Sequence, residues 1–232
     1  MKIGIMQPYL FPYLGYWQLI NAVDKFVILD DVNFIKRGYI NRNHILLNNS
    51  ETLFTLPLVK ASQNKLINET DIFNDEKEID KLLLMIKTAY KDAPYFNAVY
   101  PLIDKIVKFK DVNLSKYITN SIIEICKYVG INTQIIPSSG RYEKKDLKGQ
   151  LRILDIVGKE SGKTYINPIG GLNLYEKEVF SKKGIQLKFI EMDRISYQQI
   201  NNRFVSNLSI IDVLMFNSQK EIVQLLEKYK LV

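Results

Sequence analysis

Two short apolar runs, Lys2 to Met6 and Phe26 to Leu29, bracket a stretch with helical apolar spacing, and the second stops at the carboxylate pair Asp30-Asp31. Gln7-Pro8-Tyr9 breaks the first run, and Pro12 is expected to restrict the residue before it to extended geometry. From Tyr13 to Ala22, the side chains Leu14, Trp17, Leu19 and Ile20 supply one buried helix face. Strand, polar loop, helix and acid-tipped strand make the first unit of a parallel α/β sheet. Ligands of such sheets sit beyond the carboxyl ends of the strands. Gln7, Tyr9, Asp30 and Asp31 are therefore expected along one edge.

The later chain repeats the pattern after an interruption. Val32 to Leu47 mixes aromatic, basic and asparagine residues, and TLFTLPLV (Thr52 to Val59) alternates as a strand. Asn48-Asn49-Ser50 predicts a hairpin turn between them. Lys60 to Asn74 is polar with few anchors and predicts a loop covering a site. Three helices follow: one capped by Asp75, one over Tyr95 to Phe109 after Pro94, and one capped by Asn113 and closed by Gly130. Residues 75–130 are thus expected to be a helical insertion lobe within a single 1–232 α/β domain. Thr133 to Ile136, Lys163 to Ile166 and Ile185 to Ile190 are expected as strands, the last being the final one. A helix opened by Asp146 should bury Leu151, Ile153, Leu154 and Ile156. The tail predicts a helix near Gln219 to Lys228. This alternation implies βαβ units and a mostly parallel Rossmann-like sheet.

Composition bounds the function. The 232 residues can bury one sizeable core, and no apolar run reaches the roughly 18 residues of a membrane span. With no signal-peptide pattern and one cysteine, Cys126, set in a helical apolar context, a cytoplasmic protein is expected. The net charge of +7 suits an anionic partner such as a nucleotide, a nucleotide-sugar or a tRNA, without selecting among them. One histidine and one cysteine cannot build a nitrogen/sulfur zinc site, and no metal is expected.

Four strand ends carry polar clusters: Gln7-Pro8-Tyr9, Asp30-Asp31, Ser138-Ser139-Gly140 and Asn167 to Gly171. Each alone is ordinary turn chemistry; their joint placement on one sheet edge predicts a common site. Gly170-Gly171 lets backbone N–H groups approach an anion, and Ser138 and Ser139 add hydroxyl donors. Arg37 and Arg42 suit a diphosphate. Asn41, Asn43 and Asn167, with Tyr9, Tyr16 and Tyr165, suit a hydroxyl-rich sugar. Asp30, Asp31 and His44 are the candidate catalytic bases, since each can accept a proton from an amine. No G-x-G-x-x-G, Walker A or G-x-S-x-G pattern occurs, so dinucleotide, P-loop and nucleophile-elbow chemistry are disfavoured.

MQPYLFPYLGYWQLI, DKFVILDDVNFIKRGYINRN, the PSS turn and NLSIIDVL together resemble the WbqC-like proteins of bacterial surface-polysaccharide gene clusters, over nearly the full chain. The resemblance implies a cytoplasmic enzyme of O-antigen, lipopolysaccharide or related glycan assembly. The implied reaction moves glycine, another amino acid or an acyl group onto the amino group of a nucleotide-linked sugar. The donor stays open between aminoacyl-tRNA and another activated amino acid, and no resident cofactor is assigned. More distantly, FPYLGYWQLI is laid out like the H-x-G-H helix of nucleotidylyltransferases, with Tyr13 and Tyr16 in place of histidines and Gly15 retained. Neutral phenols stabilise phosphate charge less than imidazolium, which weighs against adenylyl transfer. A nucleotide-binding module without catalysis is the other alternative. The helical excursion either shapes the pocket or makes a homodimer contact.

Overall fold

The first strands are buried continuously, with successive side chains on opposite faces, which gives two packed layers about one sheet. The protein is described by a computed structural model covering residues 1–143, 146–200 and 203–232. Strand β1 (Lys2–Met6) leads through the tyrosine-rich loop into helix α1 (Leu14–Asn21) and strand β2 (Lys25–Ile28). In β2, Phe26 and Ile28 pack with α1 while Val27 packs on the opposite face, as a period of two demands. A hairpin follows, β3 (Arg42–Leu47) and β4 (Ser50–Thr55), its turn closed by Asn48 and Asn49 at φ of 49° and 65°. Asparagine tolerates those left-handed angles, which match the twist of a two-residue hairpin. The short strands β5 (Leu58–Val59) and β6 (Asp71–Ile72) pair antiparallel.

Helices α2 (Glu76–Tyr90), α3 (Phe96–Val107) and α4 (Leu114–Val129) come next. Asp75 accepts from the N–H groups of Lys77 and Glu78, Asn113 from that of Lys116, and Gly130 ends α4 at φ 80°. The buried faces of these helices belong to the same cluster as α1. Cys126 lies there, and burial pushes its thiol up to about 12. Then follow β7 (Gln134–Ile136), α5 (Gly149–Lys159), β8 (Thr164–Pro168), α6 (Lys177–Ser181) and β9 (Gln186–Met192). Helices α7 (Ile210–Phe216) and α8 (Gln219–Leu226) close the α1 side, and β10 (Tyr229–Leu231) ends the chain.

The sheet order is β10-β9-β8-β1-β2-β7, parallel throughout except for β10. The chain builds outward from β1 through β2 to β7, then returns to place β8 and β9 on the other flank. The strand order therefore reverses between β1 and β8, the usual ligand position of an open α/β sheet. Helices α5 and α6 cover the face opposite α1, packing Ile153, Leu154 and Phe180 on Ile3, Ile5 and Val27. Among the described residues, no helix is long and apolar enough to cross a membrane.

Several expectations change. The last strand is β10, not β9; it caps the sheet edge, and the tail helix stops at Leu226 to reach it. The helix expected from Asp146 begins at Gly149, because Asp146 and Gly149 both take positive φ (55° and 52°). Within it Ile153, Leu154 and Ile156 are buried as expected, but Leu151 is 53% exposed and Arg152 is buried. The segment from Lys60 to Asn74 is anchored: Ile67, Thr70 and Ile72 are buried, and the N–H groups of Ile67 and Asn68 donate to the carbonyls of Val32 and Asp30.

A second polar device sits inside the α1 layer. Asp212, fully buried on α7, accepts from the hydroxyls of Tyr197 (2.7 Å) and Tyr90 (3.1 Å) and the amide of Gln199 (2.8 Å). Burial pushes its carboxyl above the ordinary 3.8, against the pull of those three donors. The folded state thus binds the proton more tightly than the unfolded chain. Stability from this group is complete below the ordinary value and declines as pH rises through the raised one. Asp212→Asn should remove that component of the slope and cost about 1–3 kcal/mol through a mispaired buried donor. Denaturation midpoints of both proteins across the weakly acidic range check this; identical slopes would refute it.

Candidate functional site

The four polar strand ends lie side by side, because β7, β2, β1 and β8 are consecutive neighbours running the same way. At the β2–β7 end they form one bonded cluster. Asp30 accepts from Ser138 Oγ (2.7 Å), the Ser139 N–H (3.1 Å) and Ser115 Oγ on α4 (2.7 Å). Ser139 Oγ donates closely to Asp31, and Arg152 Nη2 reaches the other Asp31 oxygen at 2.8 Å. The same guanidinium donates to the carbonyls of Ser139, Tyr142 and Glu143. Both aspartates and Arg152 are buried, so the bonds offset the large cost of removing these charges from water.

Arg152 is the residue that sequence reasoning missed. An arginine flanked by Leu151 and Ile153 in an otherwise apolar helix run was the available signal. It also bears on a cavity of about 490 Å³ beside the cluster, lined by Leu29, Asn33, Lys148, Gly149, Arg152 and Tyr175 among others. The cavity lies where the loops after β2 and β8 meet the start of α5. That start carries no side-chain cap, and buried Arg152 Nε has no hydrogen-bond partner. Lys148, the free helix N-terminus and Arg152 make this wall suited to an anion. Burial raises the phenol of Tyr175, which also lines the cavity, so it stays neutral. A cavity of this size falls within the range of small-molecule sites.

The β8 end is built to a close tolerance. Asn167 donates to the Tyr165 hydroxyl at 2.7 Å, and that hydroxyl lies 3.3 Å from the Tyr175 hydroxyl. Tyr165 is fully buried and stacks on Phe180. A Cβ on Gly171 would sit 2.0 Å from Asn167 Oδ1, whereas Gly170 faces open space.

A second cavity, about 320 Å³, opens at the start of α1, lined by Tyr9, Pro12, Tyr13, Tyr39, Asn43 and Asn207. Asn43 is buried and donates to the carbonyls of Leu10 (3.1 Å) and Phe11 (2.9 Å). Half-buried His44 packs edge-on to Tyr39, its Nδ1 3.5 Å from Glu51. Of the residues expected from sequence, Tyr9 and Asn43 line this cavity, and none lines the larger one. Gln7 directly follows β1, its carbonyl accepting from the buried Tyr16 hydroxyl at 2.9 Å. Tyr16 is thereby committed within the protein. Asn41 donates to the Leu56 carbonyl (2.8 Å). Arg42 donates to the carbonyls of Gly38 and Arg37, and so holds its own loop; Arg37 is exposed at φ 61°.

With this geometry in hand, comparison with known proteins identifies the relatives. The chain belongs to the WbqC-like protein family, whose sequence profile matches residues 7–224. It is 29% identical over 220 residues to the uncharacterized protein Rv1507c of Mycobacterium tuberculosis, an alignment covering 93% of each chain. No solved structure matches it significantly.

The bonded cluster makes two predictions. Asp31→Asn should destabilise the protein by about 3–5 kcal/mol, because it removes the close, buried carboxylate of the Arg152 guanidinium and leaves only Asp155 at 3.5 Å. A loss under about 1 kcal/mol in chemical denaturation would show that the pair is dispensable. Gly171→Ala should cost about 1–3 kcal/mol by displacing Asn167, while Gly170→Ala should be near neutral. Equal effects of the two alanines in the same assay would contradict the close approach.

Proposed function

We propose that the protein is a transferase of bacterial surface-glycan assembly that joins an activated amino acid, glycine above all, or an acyl group to the amino group of a nucleotide-linked amino sugar. One observation carries the proposal: the 490 Å³ cavity at the carboxyl edge of the parallel sheet has an anion-suited wall of Lys148, the uncapped α5 N-terminus and Arg152. That wall fits the phosphates of an activated substrate, and the reversal of strand order between β1 and β8 supports a nucleotidylyltransferase-like, Rossmann-type sheet. Family membership and the basic net charge are consistent with it.

In the proposed step the sugar nitrogen attacks the carbonyl carbon of the activated amino acid. A C–N bond forms, the bond from that carbon to the carrier breaks, and the proton lost by the nitrogen passes to a base. His44 is the base we assign. Asp30 and Asp31 are engaged with Ser138, Ser139, Ser115 and Arg152, whereas His44 is half-buried at the side of Tyr39 with Glu51 to orient its ring. The donor is aminoacyl-tRNA or another activated amino acid. Adenylyl transfer is the weaker reading. Tyr16, which stands at a histidine position of the H-x-G-H layout, spends its hydroxyl on the Gln7 carbonyl and offers no charge.

The test is mass spectrometry of nucleotide-sugars incubated with the protein and glycyl-tRNA or glycyl thioester. An amino sugar should gain one glycine residue, and His44→Ala should slow this by about 10²- to 10⁴-fold with binding retained. Binding without any mass gain would leave only a recognition module, and full turnover by His44→Ala would remove the histidine from the step.

A further inference from the structure

The smaller cavity has a chemistry of its own. The loop that walls it is held in a conformation a free chain would avoid. Phe11, expected to be extended before Pro12, is instead buried at φ 43°, left-handed geometry that is costly for a side chain of its size. Its carbonyl accepts from Asn43 Nδ2 and from Ser209 Oγ, both at 2.9 Å, and the Leu10 N–H donates to the carbonyls of Tyr39 and Ile40. Three separate segments therefore enforce one strained residue, and the outcome is that Tyr9 and Tyr13 face the cavity from either side of it. Gly15 belongs to the same device: a Cβ there would lie 2.5 Å from the Tyr13 ring.

The lining contains tyrosines, asparagines and a proline but no charged side chain. Burial pushes the phenols of Tyr9 and Tyr13 upward, so both remain neutral groups able to donate and accept. Among the described residues, the hydroxyls of Tyr13 and Tyr39 and the amide of Asn207 have no hydrogen-bond partner, and Tyr9 has only a long contact of 3.5 Å to Gln7. Aromatic faces with unspent hydroxyls around a small uncharged space match a ring that is apolar on its faces and hydroxylated at its rim. A flat nucleobase would use the faces but leave most of those hydroxyls unmatched.

We propose that this cavity is a monosaccharide subsite, in which a neutral pyranose ring packs against Tyr39 while Tyr9, Tyr13 and Asn207 bond its hydroxyls. The assignment rests on the transferase reading for its place in the reaction; of the lining, Tyr39 is the residue packed edge-on to His44.

Saturation-transfer NMR of the full chain with UDP-N-acetylglucosamine and with free N-acetylglucosamine tests it. Saturation should reach the sugar-ring protons in both ligands. Tyr39→Ala, at an exposed position, should weaken the sugar contact by about two- to ten-fold. Tyr39→Phe should retain it, and Asn207→Ala should weaken it. Saturation confined to uridine protons, none at all, or sugar saturation unchanged in Tyr39→Ala would overturn the subsite. Turnover of a nucleotide-sugar with unchanged sugar saturation in Tyr39→Ala would sink the subsite and spare the transferase. Sugar saturation without any glycine transfer would do the reverse.

Discussion

Two adjacent carboxylates at the end of a buried strand form the constraint on which this molecule turns. Asp30 and Asp31 repel one another and lose hydration as the core closes, so their side chains must be met by donors from elsewhere. Ser115 comes from α4, Ser138 and Ser139 from the loop after β7, and Arg152 from α5. The cluster thus ties the helical excursion, the edge strand and the opposite layer to the tip of β2. It also anchors α5 through Arg152, which lines the larger cavity together with Lys148 and Gly149 at the start of that helix. Holding the charges and shaping the cavity are one requirement.

The tyrosine-rich loop after β1 follows the same logic with neutral groups. Asn43 on the hairpin and Ser209 before α7 hold Phe11 in strained geometry, and the Ser209 N–H donates to the His44 carbonyl at 2.8 Å. Residues almost two hundred positions apart in the chain over-determine one backbone angle, the condition under which strain persists. The fully buried Asp212, with Tyr90, Tyr197 and Gln199, secures the tail segment that brings Asn207 to that cavity. Each cavity has a rigid hydrogen-bonded support behind it, formal charge in one case and amides, phenols and strain in the other.

Much of the frame was legible in the residues. Capping by Asp75 and Asn113, the end of α4 at Gly130, the Asn48-Asn49 hairpin and the parallel order of the early strands all follow from short-range physics, because caps, turns and periodicity are settled within a few residues. The strand-end clusters were also visible as a group. Their individual duties were not. Asn41, Asn43, Arg42 and Tyr16 are polar near a site, which suggested ligand contacts, yet each satisfies a backbone carbonyl that the loops would otherwise leave unpaired. A polar side chain beside a cavity looks the same in sequence whether it serves the ligand or the loop.

The sequence by itself determined the alternation of strand and helix, the polar carboxyl edge and the need to neutralise Asp30-Asp31, since these depend on local pattern and on charge. Only the tertiary structure decided which residues meet that need and where the cavities open. On α5 it is Arg152 and not Leu151 that is buried, bonded to a carboxylate 121 residues earlier in the chain. Desolvation acts on groups brought together by folding, and no window of sequence contains both partners.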